Sequence, residues 1–417
     1  MQVDFSGRLQ LNVRQWAFMG AINLLLVAVL GTILRLKFVY PIPFLSYKFL
    51  LHSHSHFAFV GWVSQMLMLV LLWMTCKLGA KSTVPKKFNL LLWCNWIGSI
   101  LMMFSFLYQG YGRYSIILST ISILISYVFA GLLAIELKQS TLTLEVQRWV
   151  YAALFFLVFS SIGTFVVAFL MATGLANPIN QPPAIHFFLH FQYNGWFLFS
   201  FIAVLFYLNP LIGISFTAHK WVFWIFVVTT FFLYLLGVNG IRNMLGTAIL
   251  LVISSFLQLL CWFKMSFPIA FKGRPPISES SRTIKQNNFI KLIAFLMCVK
   301  LIAQLLGSFP QIGQYVYGYR PFLIGYLHWV LLVLISSFLL ILTNVVSELK
   351  INSSYAMLFI AFVCFALINS FGLLLQGISW VQSINKTWFA YGFVTISLLL
   401  TVTIFAIVAR CYKHLSG

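Results

Sequence analysis

Predominantly apolar runs long enough to cross a bilayer recur along the whole chain, and no other feature constrains its fold as strongly. A helix of about 20 such residues spans the hydrocarbon core. Of 417 residues, 62% are hydrophobic and only 7% charged, against about 25% charged in a soluble domain. Such a chain cannot cover a water-facing surface. The runs are continuous, whereas barrel strands alternate over about ten residues, so the expected class is an all-α membrane protein of twelve transmembrane helices. The predicted spans cover 17–39, 55–76, 88–109, 114–136, 149–173, 186–208, 220–239, 244–265, 288–308, 321–345, 355–376 and 387–410. They form a single polytopic domain. The polar stretch from Lys272 to Asn288, with Pro275, Pro276 and a serine cluster, reads as a loop within it. The segment from Ala17 to Val39 is too long for a signal-peptide core and lacks a small-residue cleavage site, so it is expected to be retained as the first span.

The formal net charge of +21 would point to nucleic acid in a soluble protein. Here basic residues are expected in cytoplasmic loops, and no nucleic-acid partner follows. With the N-terminus inside, eight of the 26 Lys and Arg fall outside: Arg35, Lys37, Lys48, Arg113, Arg242, Lys300, Arg320 and Lys386. The other 18 fall inside, which predicts both termini in the cytoplasm and a multi-pass protein of the inner membrane. All five acidic residues, Asp4, Glu136, Glu145, Glu279 and Glu348, sit on the inner side, and none is expected in the membrane interior. The six cysteines are scattered with no CxxC pair, so neither a disulfide framework nor a thiolate metal site is indicated.

Histidines carry the functional signal. Span two opens with His52-Ser-His54-Ser-His56-Phe57 and continues to Gly61-Trp62; span six opens with His186 and His190-Phe191 and continues to Gly195-Trp196. Both fit one template, His-x3-His-Phe-x3-Gly-Trp, in a chain with only 8 histidines. Residues four apart share a helix face, so His52 pairs with His56 and His186 with His190, while His54 points away, toward the loop. The glycine is expected to let a backbone or flat ligand approach closely. Four spans after span six, span ten carries His328 within Gly325-Tyr326-Leu327-His328-Trp329. The chain therefore reads as three blocks of four helices, 17–136, 149–265 and 288–410, with histidines at one level in the outer half. Ionisable residues within a membrane are costly and usually functional. An all-imidazole donor set suits heme iron or copper, with zinc as an alternative.

Three blocks of four spans, with histidines on spans two, six and ten, resemble subunit I of the heme-copper oxidase superfamily, the terminal oxidases and nitric-oxide reductases, over nearly the whole chain. The His54-x-His56-x4-Gly61 spacing is also similar to that of twelve-span NnrS-type proteins, a heme- and copper-associated group linked to nitric-oxide stress. The resemblance implies b-type heme, with copper as a further candidate. It makes His56, or else His52, one axial ligand of a low-spin heme and His328 the other. His186 or His190 takes the place of a copper ligand, with His54 a further candidate for metal. Tyr326 stands where the family's high-spin heme ligand would be. Arg242 and Arg320 are candidates to pair with heme propionates. Respiratory-chain subunits, or a cytochrome or quinol electron donor, are the partners it implies beside the bilayer.

The sequence departs from the family at span seven, which ends in Gly237-Val238-Asn239-Gly240 where two adjacent histidines are expected; its only histidine, His219, lies at the other end. With that gap and no intramembrane carboxylate, full oxygen-reductase activity is not expected. The expected function is a heme-binding protein with a redox or gas-related role. The alternatives are a histidine-based copper or zinc transporter, an active terminal oxidase, and a descendant of the fold that binds no metal.

Overall fold

The computed structural model describes residues 10–212, 216, 219–238, 244–271, 281–381 and 386–415. Among them, twelve helices are long and apolar enough to cross a membrane. Spans 1 to 4 are Val13–Leu36, Tyr47–Thr75, Lys86–Gln109 and Arg113–Gln139. Spans 5 to 8 are Leu144–Ala172, Gln181–Asn209, Lys220–Gly237 and Leu245–Phe267. Spans 9 to 12 are Asn288–Gly307, Arg320–Val346, Ser353–Ile378 and Trp388–Lys413. In hydrocarbon every backbone group must be satisfied within the protein, which is what a helix achieves.

The ends carry their own signals. Asn12 and Gln15 exchange side-chain and backbone hydrogen bonds in a capping box at the start of span 1. Spans 6 and 10 begin with proline in the first turn, where its missing N–H costs nothing. The second span starts at Tyr47 and the sixth at Gln181, eight and five residues earlier than the sequence reading. The histidines of span 2 therefore lie inside the helix and not at its mouth. The polar run tolerates this because its side chains find carbonyls. Ser53 Oγ donates to Met103 O (2.8 Å), Ser55 Oγ to Leu51 O (2.9 Å) and His54 Nδ1 to Val27 O (3.0 Å).

The chain divides into two compact units, Met1–Ser140 with Ile335–Gly417, and Thr141–Leu334. In the first, span 12 packs along spans 1 and 11, and span 3 packs on span 4 and on the histidine-bearing part of span 2. In the second, span 5 lies along span 6, span 8 lies between spans 7 and 9, and span 9 also touches span 6.

Three spans stand apart. The central windows of spans 2, 6 and 10 are 83%, 94% and 83% buried, against 22–50% for the other nine. These same three leave α-helical geometry for a π-helical stretch, at Ala58–Ser64, Phe191–Phe197 and Trp329–Ser336. Each stretch begins one or two residues after His56, His190 or His328. Those histidines lie nine, nine and eight residues beyond their helix starts, or about 12–14 Å at 1.5 Å per residue. π-Helical turns are rare and concentrate at functional sites.

Candidate functional site

In the first unit, His52 and His56 share a face, as their spacing requires. The His56 ring stacks on Phe106 (4.3 Å between centroids, 16°), and its Nε2 hydrogen-bonds the Tyr111 hydroxyl at 2.9 Å. The His52 ring meets Tyr111 edge-on at 4.6 Å. Tyr111 lies in the turn after span 3, where partial burial pushes its phenol above the ordinary value. His54 points the other way, as expected, but toward span 1 instead of a loop: its Nδ1 meets Val27 O, and its Cε1 lies 3.2 Å from where a Cβ on Gly31 would stand. A carbonyl only accepts, so His54 carries its proton on Nδ1 and its lone pair on Nε2.

The π-helical turn after His56 is held by amides from two other spans. Asn23 Nδ2 donates to Gly61 O, Asn95 Nδ2 to Val60 O (3.3 Å), and Trp96 Nε1 to Asn23 Oδ1 (3.0 Å). The template glycines have a purpose different from the one expected. A side chain on Gly61 would strike the Phe57 ring one turn back, and one on Gly195 would meet Phe156 Cβ at 2.5 Å. These glycines make room for phenylalanine.

The second unit holds an extended buried polar cluster. His190 is 1% exposed. Its Nε2 donates to Thr230 O (2.8 Å), and its Nδ1 accepts from Asn194 Nδ2 (3.2 Å). Asn194 Oδ1 in turn accepts from Lys300 Nζ (2.6 Å), which also donates to Gln304 Oε1 (2.8 Å). Gln304 Nε2 donates to Gln258 Oε1 (3.0 Å), and Gln258 Nε2 to Thr229 Oγ1 (2.9 Å). Every donor points away from Lys300, and the chain ends on backbone carbonyls of span 7. Beside it lies a cavity of about 20 Å³ bordered by His190, Tyr193, Asn194, Gln304 and Tyr326, room for about one water molecule. Tyr326 thus lies edge-on to Tyr193 at 6.2 Å.

Lys300 corrects the sequence reading, which counted it among the outer loop charges. It is 1% exposed within span 9. The signal was there: Lys300 and Gln304, four apart in an apolar run, share a helix face with nothing in water to face. Gln192 donates to Ser160 Oγ (2.8 Å) on span 5, a contact between helices.

His186 lies one turn before His190, with ring centroids 5.6 Å apart. Its Nε2 is buried without a hydrogen-bond partner, and its ring lies so close to Gly237 that a side chain there would strike it. The pair does not fit the copper expectation. Both nitrogens of His190 are committed to protein groups, and among the described residues no three His, Cys, Asp or Glu side chains are grouped so that they could hold a metal ion.

In span 10, His328 Nδ1 donates to Ile324 O one turn back (2.8 Å). This fixes the tautomer with the lone pair on Nε2, the form a metal-ligating imidazole takes when a carbonyl holds its other nitrogen. That donor fits heme iron. His328 belongs to the second unit, and His52, His54 and His56 to the first. Arg320 is exposed at the first position of span 10, and His219 is exposed before span 7. Arg242 and Asn239 lie outside the described residues. No family model and no curated protein matches this sequence.

Proposed function

We propose that this chain is a heme-binding protein of the inner membrane, with an oxidase-like arrangement of three four-helix blocks and a redox or gas-related role short of full oxygen reduction. The observation that carries the proposal is the tautomer of His328. A backbone carbonyl accepts from its Nδ1, which puts the ring's lone pair on Nε2, in a largely buried span that turns π-helical at the next residue. His54 has the same arrangement through Val27 O, which makes it a stronger ligand candidate on span 2 than the resemblance alone implied. His56 shares its Nε2 with Tyr111 and would have to give up that hydrogen bond. When bound, heme would supply a one-electron couple or a coordination position for a diatomic gas. The chain's own residues would orient the donor imidazoles and exclude lipid and water around them.

The test is a reduced-minus-oxidised spectrum of the purified, heme-supplemented protein. His328→Ala should remove the heme bands. One of His52→Ala, His54→Ala and His56→Ala should do the same, and His219→Ala should leave them unchanged. A colourless wild-type protein, or one whose bands survive every substitution, ends this reading. It would favour a second, in which the histidines act only as buried contacts between helices. The two engaged nitrogens of His190 are the observation that favours this second reading.

A further inference from the structure

The second unit carries an apolar groove with a basic rim that the heme reading does not use. It runs between spans 5 and 7 and measures about 500 Å³, within the range of about 300–1,000 Å³ usual for small-molecule sites. Phe155, Phe156, Phe223, Trp224 and Val227 line it, and Arg148 and Lys220 border it. Arg148 is the fifth residue of span 5 and Lys220 the first of span 7, so both cations stand where their helices enter the membrane from the same side. Seven residues of helix separate Arg148 from Phe155, and seven separate Lys220 from Val227. At 1.5 Å per residue the apolar wall descends about 10 Å, roughly a third of a 30 Å hydrocarbon core.

The rim is basic beyond these two residues. Lys264, near the end of span 8, holds its Nζ 4.7 Å from the Trp221 ring centre, while Glu145 is the carboxylate on the same turn as Arg148. Phe155 and Trp224 are exposed, at 50% and 62%, so the wall is open to whatever lies beside the protein. An apolar wall alone would accept any acyl chain. Two cations at its mouth, on separate helices, add a charge requirement, and basic pockets between helices at the membrane surface are selective for acidic headgroups.

We propose that this groove binds an anionic phospholipid, with its phosphate at Arg148 and Lys220 and an acyl chain along Phe155, Phe223 and Trp224. Native mass spectrometry on the full-length protein, equilibrated with equal amounts of phosphatidylglycerol and phosphatidylcholine, tests this. The wild type should retain phosphatidylglycerol in preference. The double variant Arg148→Gln, Lys220→Gln should lose that preference by about fivefold for each cation removed, the ratio corresponding to about 1 kcal/mol per basic residue at a membrane surface. Trp224→Ala should lower retention of both lipids. Equal retention of the two lipids by the wild type, or an unchanged preference in the double variant, overturns the proposal; so does full retention by Trp224→Ala. Should the double variant fail to fold, Lys220→Gln alone, exposed at its helix start, reads the same preference with one step of about fivefold.

Discussion

Lys300 makes two donor bonds in the membrane interior, to Asn194 and Gln304, and both acceptors are buried. Removing the amine leaves two carbonyl oxygens that nothing else in the cluster can satisfy, because Asn194 and Gln304 already direct their amide nitrogens to His190 and Gln258. An orphaned buried acceptor costs about 1–3 kcal/mol. Lys300→Met keeps most of the stem and removes both donors, so it should lower stability by about that amount for each oxygen. Lys300→Gln, which can still donate, should cost less. Denaturant unfolding of the purified protein in detergent measures both; a Lys300→Met variant as stable as the wild type would show that the cluster is not organised by its amine. The sequence displayed Lys300, Gln304 and Gln258 plainly as polar residues within apolar runs. It did not reveal that they meet. That depends on spans 6, 7, 8 and 9 coming together, a matter of packing that linear spacing does not encode.

Among the elements, span number and most boundaries were legible, because the length of an apolar run is a property of the sequence itself. The start of span 2 was missed because His and Ser look too polar for a membrane helix until their carbonyl partners are known, and that of span 6 because Gln181, Pro182 and Pro183 look like a loop, whereas they form its first turn. The π-helical turns were not legible for a related reason: Asn23 and Asn95, which hold the first of them, lie on other spans. A backbone-to-backbone helix contact also escaped the motif reading. A side chain on Gly163 of span 5 would stand 2.6 Å from both Ala184 O and Phe188 N of span 6, and backbone cannot step aside as a flexible side chain can. Gly163→Ala should therefore force the two helices apart, at about 1–3 kcal/mol, the usual cost of overpacking. Gly131 in span 4, with nothing within 4 Å of an added Cβ, provides the contrast. Gly131→Ala should be neutral or stabilising by up to about 1 kcal/mol, the helix-propensity difference. Unfolding midpoints of the two variants should move in opposite directions or differ by that margin; equal midpoints would place Gly163 outside the helix contact.

At the scale of the whole molecule, orientation rests on charge. Lys300 is buried in span 9 and leaves the loop count, so the outer set falls from eight to seven against 18 inside, and the asymmetry expected of cytoplasmic loops grows. The loop between spans 2 and 3 carries Lys77 and Lys81, with Lys86 and Lys87 opening span 3; the segment between spans 5 and 6, around Asn177, carries no lysine or arginine. These two loops lie three spans apart and so face opposite sides of the bilayer. The contrast between them is what the expected orientation rests on. Reporter fusions after Lys87 and at the C-terminus should report the cytoplasm, and one near Asn177 should report the outside. The outcome also fixes which leaflet meets the basic rim of Arg148 and Lys220. Those residues stand at the starts of odd-numbered spans, on the side opposite Asn177, and the expected orientation places them against the anionic cytoplasmic leaflet. A cytoplasmic signal at Asn177 would invert the chain, moving both the histidine level and the basic groove to the other face.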